Sequence, residues 1–337
     1  MGCIRVTLLQ AVERHGFLLL DDCFFCNEVR MAPKALGRKS RPVIFGEVLF
    51  DVFPDGQEIL GGAPFNVAMH LTAFGESPVM ITRIGSDRRG KVVRDRMVSW
   101  KMDTAQLQVD KEHETGFVKV TFDKKDPRYS ITPGVAWDFI DPPAGSKVPD
   151  HKHTSLLYHG TLAMRYLRSH KTLTEIQKAL NVPLFVDLNL RNPWYNGQKI
   201  EMACSRARWL KMNRAELKEL TGSVQQSVAR DLEAFRRKWD THVIIVTDGD
   251  NGAVYSQKDR DPIVVKPKPV RNLVDTVGAG DAFSAVLIMG LLKGWQAERT
   301  LKRATEFASR VCTIRGALPS IKAWYDTTLD DWGAEDG

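Results

Sequence analysis

The strongest constraint on the fold is a rhythm of short apolar runs, each followed by Gly, Asp or Asn. Val43-Ile-Phe-Gly-Glu47, Val79-Met-Ile-Thr-Arg-Ile84, Ser155-Leu-Leu-Tyr-His159, Pro183-Leu-Phe-Val-Asp187 and Val243-Ile-Ile-Val-Thr247 are short enough to be buried strands. Between them, residues 63–74, 88–101, 169–180 and 225–239 carry helical spacing, and 278–292 and 297–315 extend it. Strand–helix alternation implies a mainly parallel sheet with helices on its faces. The expected fold is α/β, doubly wound, with ligands gathering at the carboxyl ends of the strands.

One region departs from this rhythm. Residues 115–123 alternate with period two, 124–127 make a turn, and 129–132 return antiparallel. With residues 48–62 they predict a small sheet standing off the main one, a lid over a site; a static edge hairpin is the competing reading. Residues 1–41 lack a sustained period and are expected outside the core, with Met31 as an alternative start. The core then spans 42–325, and 326–337 reads as an acidic, frayed tail.

The 337 residues include 43% hydrophobic and 26% charged side chains, the balance of a chain with an ordinary core. The net charge of +7 is spread along the sequence, with one basic cluster at 34–41. That pattern argues against a nucleic-acid partner and suits an anionic small substrate. The C-x-x-C of Cys23 and Cys26 has no second ligand pair, and His151 and His153 sit in a Lys- and Pro-rich loop, so neither reads as a metal site. No apolar run approaches the ~20 residues that span a bilayer, and no secretory signal is recognisable. The expected location is the cytoplasm.

Chemistry concentrates in Asp275-Thr-Val-Gly-Ala-Gly-Asp-Ala-Phe-Ser284. Gly278 and Gly280 permit a tight turn with converging N–H groups, and the apolar run after it starts a helix whose N-terminus favours an anion. Asp281 could simply cap that helix. A cap does not require Gly-Ala-Gly before it, whereas phosphoryl transfer needs both an anion cradle and an adjacent carboxylate.

This segment resembles the C-terminal motif of the ribokinase-like (PfkB) carbohydrate kinases, and Gly61-Gly-Ala-Pro-Phe-Asn-Val-Ala68 followed by Arg83-Ile-Gly-Ser-Asp87-Arg-Arg-Gly90 resembles their N-terminal one. The resemblance spans residues 42–325 and implies ATP and Mg2+ as cofactors and a sugar as partner. It implies Asp281 as the base and the N–H groups of Gly278, Ala279 and Gly280 as an anion hole. Asp51, Gly61, Gly62 and Asn66 match sugar-contacting positions, against a plain edge-strand Asp and a bulge.

Met212-Asn213-Arg-Ala-Glu216 matches an N-x-x-E motif, with Asn213 and Glu216 organising magnesium largely through water; a helix capping box fits the same residues. Thr247, Gly249 and Gly252 match a T-x-G-x-x-G nucleotide loop, or a plain turn, and Ala308 with Gly316-Ala317 matches the adenine surround. Asp187-Leu-Asn-Leu-Arg-Asn-Pro-Trp194 resembles the D-x-N-x-R segment of fructokinases and 2-keto-3-deoxygluconate kinases, placing Asn189 and Arg191 near the phosphates. A surface ion pair is the other reading of Arg191. Fructose is the expected acceptor. Other acceptors are 2-keto-3-deoxygluconate, ribose or a nucleoside, and a silent sugar sensor is the rival of a different class. A homodimer through the lids is expected if their open face is apolar.

Overall fold

The computed structural model describes residues 40–123, 126–143, 150–223 and 227–334. Met31, the basic cluster up to Lys39, Cys23, Cys26, residues 124–125 of the lid turn and Gln225 lie outside the described residues. Within them, every apolar run expected as a strand is one. β1 (Arg41–Phe45) is flanked on one side by β4 (Val79–Gly85) and β5 (Leu107–Asp110). On its other side follow β8 (Thr154–Gly160), β9 (Leu184–Asp187), β10 (Trp209–Asn213) and β11 (Val243–Thr247), all parallel. β12 (Ala253–Gln257) and β13 (Ile263–Val265) complete the nine-stranded sheet, each antiparallel to its predecessor.

The pleat sorts side chains into two cores. Ile44, Tyr158 and Phe185 face one, and Val43, Phe45, Leu157 and Val186 face the other. Helices α1 (Ala63–Ala73), α7 (Ala279–Lys293), α8 (Ala297–Val311) and α9 (Ala323–Ala334) cover the first face. The second is covered by α3 (Leu167–Leu180), α4 (Gly197–Arg206), α5 (Arg214–Thr221) and α6 (Val228–Lys238). Helix α2 (Arg88–Ser99) packs beside β4. From β1 the chain moves outward through β4 and β5, then returns to β8 and proceeds the other way. That reversal opens a crevice at the carboxyl ends of β1 and β8.

The smaller sheet has the order β3 (Glu58–Gly61), β2 (Leu49–Val52), β6 (Gly116–Asp123), β7 (Asp126–Ile131). The hairpin of β6 and β7 is antiparallel as expected, β2 and β3 form a second antiparallel hairpin, and β2 pairs with β6 in parallel. Both strands set out from the carboxyl ends of parallel strands, β1 and β5, and therefore run the same way.

Two expectations need correction. The supposed frayed tail is helical up to Ala334, because Tyr325 and Trp332 recur at helical spacing and bury themselves, Trp332 stacking on Phe74. The helix expected over 297–315 ends at Val311, since the carbonyl of Cys312 turns aside to accept the N–H groups of Val274 and Asp275. Among the described residues, no helix is long and apolar enough to cross a membrane.

Candidate active site

The start of α7 is built by two glycines with different reasons to be glycine. Gly278 is left-handed at φ 79°, and a Cβ there would lie 2.2 Å from the Cβ of Ala317. Conformation and space both exclude a side chain. Gly280 lies within the ordinary helix, and its Cβ would sit 3.1 Å from the Nζ of Lys211. Its absence makes room for an ammonium.

Asp275 clamps the turn, its Oδ1 accepting from Val277 N at 3.0 Å and its Oδ2 from Gly316 N at 3.0 Å. The N–H of Ala279 reaches Thr276 O only at 3.3 Å. First-turn amides have no acceptor inside their own helix, so this end carries partial positive charge.

Asp281 faces inward. Its Oδ2 accepts from Asn66 Nδ2 at 2.7 Å, joining α7 to α1 across 215 residues of sequence. Burial pushes its carboxyl up to about 6; Asn66 opposes this, Asp187 adds to it, and Lys211 and Arg191 oppose it. A group at that value is ionised at neutral pH yet basic enough to accept a proton.

Asn66 is held at this spot by Gly62, whose carbonyl accepts the Asn66 N–H at 2.8 Å. Gly62 has φ 108°, and a Cβ on it would meet Glu47 O at 2.8 Å. Gly61, buried, faces the Asn66 amide, 3.9 Å from where its own Cβ would be.

The crevice holds polar atoms that no group among the described residues satisfies. Asn66 Oδ1 and Glu47 Oε2 are buried without hydrogen-bond partners. Burial pushes Glu47 up to about 7, its own backbone lowers it, Asp281 raises it, and Arg165 and Arg191 lower it. An unpaired buried polar group costs roughly 1–3 kcal/mol, so such a group beside a carboxylate suits a ligand rich in hydroxyls. Glu47 was not among the expected site residues, although Gly46-Glu47 directly follows the β1 run.

The small sheet supplies the opposite wall. Asp51 is paired by register with Ile59 and Val118, while Val120 lies opposite Tyr129. Period-two alternation therefore puts Asp51 and Tyr129 on one face. Burial pushes Asp51 up to about 6, Asp275 adds to this and Arg191 opposes it. Burial also raises Tyr129, followed by Asp51 and Asp275. Arg191, exposed, thus lies within electrostatic reach of Glu47, Asp51, Tyr129 and Asp281; its Nη1 donates to Leu190 O at 3.0 Å. At the lid tip, Gln57 Oε1 accepts from Arg315 Nη2 at 2.6 Å, and Ile59 Cγ2 lies 3.5 Å from where a Cβ on Gly316 would be.

The remaining expected residues line the neighbouring strand ends. Asn213 and Thr247 are register partners on β10 and β11. Asn213 and Glu216 form a reciprocal cap on α5, with Asn213 Oδ1 accepting Glu216 N at 2.9 Å and Glu216 Oε2 accepting Asn213 N at 2.7 Å. Glu216 Oε1 also accepts Leu190 N at 2.7 Å, which ties α5 to the loop carrying Asn189, itself left-handed at φ 41°.

Glu216 is therefore a structural cap as well as an acid near the crevice. With both oxygens engaged, it fits a magnesium ion held through water better than a direct ligand. Among the described residues, no group of three His, Cys, Asp or Glu could hold a metal by itself. Gly249 turns at φ 51° in open space, whereas Gly252 is required because a Cβ would strike Val265 O at 2.0 Å. Ala308 sits half-buried on α8, packed against the core that α7 and α8 share, and just past α8 the Cys312 carbonyl accepts the N–H groups of Val274 and Asp275.

The model of the pfkB family carbohydrate kinases matches residues 47–324. The Escherichia coli fructokinase is 25% identical over 300 residues, covering 82% of this chain and 95% of that protein. Fructokinase-1 of Oryza sativa is 27% identical over 314 residues, covering 85% and 95%. The crystal structure of fructokinase from Vibrio cholerae O395 in its fructose-, ADP- and calcium-bound form superposes with a TM-score of 0.71 at 25% identity, covering 86% of this chain and 99% of that one. Aminoimidazole riboside kinase from Salmonella enterica, at 21% identity and a TM-score of 0.73, shares the fold. The chain belongs to the pfkB family and is an ATP-dependent carbohydrate kinase.

Proposed function

We propose that the chain phosphorylates a primary hydroxyl of fructose with Asp281 as general base. The observation that carries this reading is the Asn66–Asp281 hydrogen bond at the open end of α7, beside the unpaired Asn66 Oδ1 and Glu47 Oε2. Asp281 takes the proton of the acceptor hydroxyl as its oxygen attacks the γ-phosphorus of ATP. The bond from that phosphorus to the bridging oxygen breaks and ADP leaves. The N–H groups of Gly278, Ala279 and Gly280 face the charge on the moving phosphoryl.

Asp51, Gly61, Gly62 and Asn66 hold the sugar, and Arg191 pairs with phosphate. Thr247, Gly249, Gly252, Asn189, Asn213 and Ala308 line the nucleotide. Glu216, through water, would hold a magnesium ion beside the nucleotide phosphates, where it would supply positive charge. The small sheet covers the acceptor and excludes water that would otherwise take the phosphoryl.

The choice of fructose rests on the fructokinases among the similar proteins, one of them bound to fructose. Coupled ADP release is the test, with fructose, 2-keto-3-deoxygluconate, ribose and nucleosides as acceptors. The largest kcat/KM for fructose is expected, and a larger value for another acceptor overturns the choice. Calorimetric sugar binding with no turnover on any acceptor would make the chain a sensor instead. The buried thiols of Cys204 and Cys312 suit a reducing cytoplasm. Half-exposed Phe122 on the lid supports a homodimer formed there, which sedimentation measures.

A further inference from the structure

A buried cation lies directly beneath the first turn of α7. Lys211 and Asp187 are register partners on β10 and β9, and Lys211 Nζ donates to Asp187 Oδ2 at 2.9 Å. Ser284, one turn into α7, donates to the same oxygen at 2.9 Å. Lys211 Nζ also reaches the carbonyl of Gly280 at 3.4 Å. That carbonyl belongs to the peptide group linking Gly280 to Asp281. A Cβ on Gly280 would crowd this ammonium, at 3.1 Å from its nitrogen.

We propose that Lys211 is a positioning residue for phosphoryl transfer: braced by Asp187 and Ser284, its ammonium holds the Gly280–Asp281 peptide in place and keeps positive charge under the anion hole and the base. The inference rests on the reading of Asp281 as the base. Three observations carry it. Lys211 is 7% exposed, so water screens its charge little. Its partners come from β9 and from α7, which fixes its position. A lysine this deep is costly unless paired and bonded, and the partner found is one carboxylate whose oxygen is also shared with α7.

The charge state agrees with this: burial would lower the Lys211 pKa, but Asp187, Glu216 and Asp281 hold it above its ordinary value. The groups facing Asp281 are Asn66 from α1, Asp187 from β9, Lys211 from β10, Arg191 from the loop after β9, Glu47 from the loop after β1 and Tyr158 from β8.

The experiment is the pH profile of kcat for full-length Lys211→Gln and Asp187→Asn, with Asp281→Asn as reference. Losing the ammonium removes an interaction that favours the Asp281 anion, so in Lys211→Gln the acid limb moves up by about one pH unit. In the same variant kcat at the optimum falls ~10-fold, with the sugar KM within about twofold. Losing the Asp187 charge removes an interaction that disfavours the anion, so that limb moves down. Opposite displacements support the inference. No displacement, or one of the wrong sign, in whichever variant folds overturns it, as a purely structural brace would not move the limb. Should Asp281→Asn keep its turnover, the base assignment itself falls, a result separable from either displacement.

Discussion

The two sheets carry similar polar side chains in opposite circumstances. In the nine-stranded sheet, β8 is buried from end to end, and Lys211 and Asp187 sit on neighbouring strands with less than a tenth of their surface exposed. Their positions are dictated by register and by the helices packed above, so they can place charge to within a hydrogen bond. In the four-stranded sheet, Asp51 is partly open and Tyr129 is 51% exposed. Those side chains face a crevice that a ligand must enter. On the proposed function the contrast assigns tasks: groups that must be exact in position for bond-making lie on the large sheet and α7, while groups that recognise the sugar lie on the small sheet.

Mutations that separate the two regions test this division. Asp281→Asn removes the proton acceptor from the rigid side, and kcat should fall by ~10² or more with sugar binding nearly intact. Steady-state kinetics beside sugar calorimetry checks it, and a near-wild-type kcat removes Asp281 from the mechanism. Asp51→Ala on the lid should do the reverse, raising the sugar KM by ~10-fold or more with a smaller change in kcat. Equal losses in kcat from both variants would erase the distinction between the sheets.

A third outcome concerns pH. As the proposed base Asp281 must work as an anion, and its carboxyl is pushed up to about 6. Protonation therefore removes activity as pH falls through that value, and kcat at pH 5 should be ~10-fold below its plateau. A profile flat to pH 5 contradicts the assignment. The smallest effect is expected at the lid tip. Gln57→Ala deletes the acceptor of Arg315 on an exposed surface and should raise KM by less than about threefold. A larger change would make that contact a true latch rather than an edge bond.

The strand rhythm and the Gly-Ala-Gly-Asp turn were legible because each is local. A buried strand reveals itself in a few consecutive apolar residues, and a glycine turn before a helix is contiguous. The site's second layer was hidden for the opposite reason. Lys211 looks like an interruption in Trp209-Leu-Lys-Met, and only its pairing with Asp187 shows what it serves. Period-two alternation around Tyr129 could have flagged a face, but not which face met the crevice. The C-terminal helix was misread because its acidic residues dominated, although Trp324, Tyr325 and Trp332 already carried an apolar stripe.

From the amino-acid sequence alone came the class of fold, the order of its elements and the carboxylate proposed as the base. Tertiary structure decided which groups surround that base. Strand register and helix packing bring together Asn66, Lys211, Asp187, Arg191 and Asp281, which are scattered along the chain. Burial then sets how readily a carboxyl gives up or accepts a proton. Desolvation and the charge of neighbours act through space, and distance along a chain does not measure either.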